Sequence, residues 1–89
     1  MSDDGNRMPA AAATDALEHI VRSVVDNPDD VRVDVDDSSD RIRLDVRVAD
    51  GDMGRVIGKR GRVAHAIRTV VRAAAVLDDV EVDIEFVDE

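Results

Sequence analysis

The chain has no cysteine, no tryptophan and no tyrosine, and Phe86 is its one aromatic residue. Without cysteine there can be no disulfide and no thiolate metal site. Without aromatics the core has to be built from Val, Ile, Leu and Ala. No apolar run approaches the roughly 18 residues that a bilayer span needs. The first residues, "MSDDGNRMPAAAA", carry acids where a secretory leader needs positive charge, and they lack a long apolar stretch. A soluble, cytoplasmic protein without a membrane partner is expected. Only two histidines are present, His19 and His65, and neither sits in a metal-ligand or acid–base pattern. The "DDSSD" run at 36–40 lacks the spacing and the bidentate glutamate of a calcium loop. The sequence therefore predicts no enzyme, no metal, no cofactor and no small-molecule substrate.

Charge is abundant but unevenly placed. The formal net charge is −9 over 89 residues, which argues against a non-specific polyanion binder. Yet 53–77 holds Arg55, Lys59, Arg60, Arg62, Arg68 and Arg72 and no acid at all. All 21 acids lie elsewhere. One acid-free surface could meet phosphate while the rest repels it.

Eighty-nine residues make one domain with a modest core. Residues 1–13 read as a disordered extension, and 14–89 as the folded unit. Asp15 and Glu18 have capping-box spacing, and Leu17, Ile20, Val21, Val24 and Val25 line one helical face. Pro28 ends that helix. Val31, Val33 and Val35, then Ile42, Leu44, Val46 and Val48, alternate with charged residues, so the two stretches read as a hairpin joined through 36–39. Asp52 stands where it would cap a short helix over 53–57. A longer helix runs from 62 to 76, with Val63, Ile67, Val70, Val71 and Ala74 as its apolar positions. A last strand covers 80–87, with Phe86 among its core residues. The order helix, strand, strand, helix, helix, strand predicts an α+β fold with three helices on one face of a three-stranded sheet.

Glycine is scarce, five residues in all, yet Gly54, Gly58 and Gly61 fall within eight positions. A glycine inside a helix costs about 1 kcal/mol relative to alanine, so Gly58-Lys59-Arg60-Gly61 marks a turn between two helices. Glycines let a ligand backbone come close. The helix that starts at Arg62 offers free N–H groups and a positive dipole end. The spacing fits neither a P-loop nor a dinucleotide fingerprint.

"VIGKRG" in this order of elements resembles the KH family of RNA-binding domains, whose GxxG loop clamps about four single-stranded nucleotides. "DNPDDVRV", "DMGRVIGKRGR" and "AIRTVVRAAA" resemble the runs of small single-KH bacterial proteins of the KhpA type. The likeness spans about 16–87 and implies the type II KH fold, α-β-β-α-α-β. It implies that Gly58, Lys59, Arg60 and Gly61 form the loop, with Arg62 at the head of the next helix. Val56 and Ile57 would partly support the core and partly floor a base groove, and Arg55 and His65 would flank the strand. Many KH domains carry a large aliphatic where this chain has Ala64. With no aromatic platform, bases would meet aliphatic side chains and backbone. The resemblance further implies RNA-chaperone or post-transcriptional roles linked to cell envelope growth and shape. The alternative is an interaction module: a KH homodimer, or a heterodimer with a larger KhpB/Jag-type KH protein, with RNA contact secondary.

Overall fold

The computed structural model describes residues 10–87. Its elements are α1 (Ala11–Val24), β1 (Arg32–Asp36), β2 (Ile42–Arg47), α2 (Met53–Ile57), α3 (Arg62–Leu77) and β3 (Val82–Phe86). Single 3-10 turns cover Pro28–Asp30 and Lys59–Gly61. The α+β expectation, with its element order, holds. The expected extension up to residue 9 lies outside the described residues, while Ala10 to Ala13 belong to the turn and first helix.

The sheet has the order β1-β2-β3. β1 pairs with β2 antiparallel, Val33 opposite Val46 and Val35 opposite Leu44. β2 pairs with β3 parallel, Ile42 opposite Val82 and Leu44 opposite Ile84. The alternation seen in the sequence now has a cause. Ile42, Leu44, Val46, Val82 and Ile84 point into the helices and are buried. Leu17 and Val21 of α1 and Ile67 and Val71 of α3 cover them. Phe86 is half-buried at the rim.

The opposite sheet face is a lattice of charge. Arg41 meets Asp83 at 2.8 Å and also Glu81; Arg43 meets Asp45 at 3.1 Å and Asp36 at 3.5 Å; Arg47 meets Asp34. Pairs this exposed add little stability, but they cancel charge locally and keep the open face soluble. At the hairpin turn the Asp36 carboxylate accepts from the Ser38 N–H and hydroxyl, and these two bonds hold its pKa below the ordinary range.

The helix ends depart most from local sequence rules. α1 starts at Ala11, four residues before the cap expected at Asp15, and no side chain of its own caps it. The Asp78 carboxylate, just past α3, accepts from the Ala12 N–H at 3.1 Å and the Ala13 N–H at 3.0 Å. A distant residue thus satisfies the free amides, and an anion meets the positive helix end. α3 closes in a Schellman motif: Val80 N–H donates to the Ala75 carbonyl and Asp79 N–H to that of Val76. Asp79 takes φ 57 where glycine is usual. That cap delays β3 to Val82, two residues later than the alternation suggests. On α3 the buried positions are Ala64, Ile67, Val71 and Ala75, so Val70 falls outside the core.

Leu44 sits at the centre of the sheet with both neighbouring strands beside it, and it is fully buried. Leu44→Ala should cost about 2–5 kcal/mol, read as a lower urea midpoint with an unchanged slope.

Candidate nucleic-acid interface

The glycine-flanked turn is built by a run of unusual backbone. α2 ends at Gly58, whose φ 75 and ψ 178 lie in a region open to glycine alone. Arg60 takes φ 58 and Gly61 takes φ 74, both left-handed. The chain is drawn tight by Gly58 N–H to the Gly54 carbonyl at 2.9 Å and Gly61 N–H to the Gly58 carbonyl at 3.2 Å. The two glycines are required for different reasons. A Cβ on Gly58 would lie 2.4 Å from Val63 Cγ2 and 2.8 Å from Val63 Cβ, so the first turn of α3 packs directly on the bare Cα. A Cβ on Gly61 would meet nothing within 4 Å. Gly61 is there for its backbone angle and for the open space over it.

This turn lifts Lys59 and Arg60 into solvent, with Arg62 exposed on the next residue but one. No side chain caps α3, and its first amide, the Arg62 N–H, donates to the Lys59 carbonyl. The remaining bases of the acid-free stretch are engaged. Arg55 pairs with Asp26 at 3.1 Å. Arg68 stands 5.2 Å from the Phe86 ring centroid and donates to the Ile84 carbonyl at 3.4 Å. Arg72 lies close enough to Asp83 to help hold that carboxyl below its ordinary pKa, behind the larger effect of the Arg41 hydrogen bond. Among the described residues, Lys59, Arg60 and Arg62 are the cations of this stretch with no acid, ring or carbonyl partner on their side chains.

The other expected site residues divide. Val56 is fully buried and holds α2 on the core. Ile57 and Gly58 are half-buried, so Ile57 keeps surface at the foot of the turn. His65 is exposed on α3, one turn past Arg62. No local pattern marks Arg68 and Phe86 as neighbours, because they lie eighteen positions apart on a helix and a strand.

Asp52 also departs from its expected role. It does not cap α2. It is 2% exposed, and its carboxylate accepts from the Asp26 N–H at 3.3 Å, the Asn27 N–H at 3.0 Å and the Asn27 side-chain amide at 3.1 Å. Burial pushes its pKa up, but these bonds and the nearby Arg55 outweigh that and hold it below the ordinary 3.8. The stabilisation is therefore complete at neutral pH and is lost as pH falls below that value.

The contrast between the glycines is measurable. Gly58→Ala combines a forbidden backbone region with a clash and should destabilise by about 3 kcal/mol. Gly61→Ala should cost only about 1 kcal/mol, the left-handed penalty alone. Thermal or urea unfolding of the two variants checks the order.

The family profile described as KhpA/KhpB, KH domain, matches residues 14–86. RNA-binding protein KhpA of Clostridium acetobutylicum is 49% identical over 71 residues, covering 80% of this chain and 95% of the relative. The protein of the same name from Mycobacterium tuberculosis is 52% identical over 62 residues, 70% of this chain and 78% of its own. That from Bacillus subtilis is 46% identical over 74 residues, 83% and 91% respectively. The glycine turn, the aliphatic sheet and the mixed strand order are thus those of a known lineage: the chain belongs to the KhpA/KhpB family of KH domains.

Proposed function

We propose that this protein binds single-stranded RNA by gripping its phosphate backbone with the Gly58–Gly61 turn, and that it works in the cytoplasm as a post-transcriptional regulator or RNA chaperone. One observation carries the reading: the unanswered cations of the acid-free stretch, Lys59, Arg60 and Arg62, stand together on a turn whose glycines leave room for a ligand backbone. The start of α3 adds its positive dipole end there. Relatives named as RNA-binding proteins support it. Ile57 supplies aliphatic surface beside the turn, His65 extends the polar side, and Val56 supports from beneath. Arg55 reaches phosphate only by leaving Asp26. The chemistry here is binding, with no reaction and no cofactor assigned.

A second surface favours pairing with another KH domain. Val70 is 47% exposed, Val76 74% and Leu77 83%. Val70 and Leu77 are two helical turns apart, and with the exposed Ala66 and Ala73 they form an apolar ridge on the outside of α3. We read this as the contact for a second copy or for a larger KH protein of the KhpB/Jag type, alongside RNA binding.

Each surface has its test. Fluorescence anisotropy of a short labelled RNA over a salt series should show log affinity falling with log salt at a slope of about −2, as three cations on a single strand predict. Lys59→Asp/Arg60→Asp should remove most of the binding and flatten the slope, while circular dichroism shows a folded protein. Equal binding by the folded variant would remove the turn from the interface. Val70→Asp/Leu77→Asp should convert any dimer seen by sedimentation to monomer without loss of helix content.

A further inference from the structure

The turn that carries the free cations hangs from a short support. α2 has five residues, too few to hold itself as a helix. Of its side chains only Val56 is fully buried. Gly58 follows directly and is tied back to Gly54. Whatever fixes the tilt of α2 therefore fixes where Gly58 and the cations stand.

Beside the Val56 anchor and the Gly58–Val63 packing, two polar contacts tie α2 down, and both end on the same segment after α1. The buried Asp52 carboxylate holds the amides of Asp26 and Asn27 and the Asn27 side chain. Arg55, one turn further on, grips the Asp26 carboxylate at 3.1 Å. A carboxylate at the head of a helix ordinarily turns back onto its own first amides. Asp52 reaches outward instead and is buried with its charge, which is tolerated only because donors surround it. We infer that Asp52 is a positioning residue for the RNA clamp: by holding the Asp26–Asn27 amides it locks α2, and the Gly58–Gly61 turn behind it, against the end of α1. This rests on the RNA-binding reading above.

The molecule contains its own control. Asp78 caps the other end of α1 through two amides, and it lies beyond α3, sixteen residues past Arg62 and away from the turn. A merely structural carboxylate should behave like Asp78; a positioning one should not. Asp52→Asn and Asp78→Asn are compared in the full chain, at a temperature where circular dichroism shows both folded. Both should lower the unfolding temperature. Only Asp52→Asn should weaken binding of a short single-stranded RNA, by roughly fivefold to tenfold, and shift the Gly58 and Gly61 amide resonances in the RNA-free protein. Should Asp52→Asn fail to fold, Asn27→Ala removes a single surface donor to the same carboxylate, and a twofold to threefold weaker complex is expected. Wild-type affinity in folded Asp52→Asn, or in Asn27→Ala where Asp52→Asn does not fold, overturns the inference, and so does an equal loss in Asp78→Asn. Absence of salt-dependent RNA binding by the wild type would sink the RNA reading instead. The resonance shifts would then decide the positioning role alone: confined to Asp52→Asn they uphold it, and absent or shared with Asp78→Asn they end it.

Discussion

The Cα of Gly58 lies against the side chain of Val63, and the shape of the glycine turn depends on that contact. It lets α2 and α3 meet at an angle no side chain at position 58 would allow. The angle throws residues 59 and 60 outward. Removing one Cβ therefore does two things at once. It closes a corner of the core and presents two cations. Arg60 accepts a left-handed backbone in the process, a local strain of about 1 kcal/mol that the surrounding packing absorbs.

Electrostatics then select this corner by subtraction. Most arginines of the described chain have a carboxylate or an aromatic ring to occupy them. On the charged sheet face Arg41, Arg43 and Arg47 are paired with Asp34, Asp36, Asp45, Glu81 and Asp83, so it offers phosphate no net attraction. The acidic excess discourages loose adsorption to nucleic acid everywhere else. What remains attractive to an anion is small and confined to the glycine turn. The absence of aromatic platforms is consistent with the proposed backbone grip, in which bases would meet aliphatic surface.

Much of this was legible in the sequence. The alternations at 31–35 and 42–48 gave the hairpin with its faces, because a half-buried strand has period two and the pleat allows no other register. The glycines three apart gave the turn. Three features were not legible, and for one reason. Asp52 and Asp78 both stand at helix ends, and local rules assign each to its nearest helix; each instead serves backbone amides 25 or more residues away. With Asp78 as its anion, α1 could begin at Ala11 without a cap of its own, which misplaced the start expected at Asp15. Arg68 over Phe86 is likewise a long-range neighbourhood set by where the helix crosses the strand. Local patterns describe elements; contacts between elements appear only once the fold exists.

The parallel pairing of β2 with β3 sets the order of assembly. β1 and β2 are joined by a short turn and can meet as soon as both are made. β3 reaches β2 only after α2, the glycine turn and α3 have been laid across the sheet, a connection from Arg47 to Val82. Non-local parallel contacts of this kind form late. During synthesis the hairpin can wait as a half-sheet, but Ile84 and Phe86 must leave the ribosome before α3 has its strand to rest on. The nascent chain thus carries its glycines and cations before the strand that completes the sheet beneath α3 has been made.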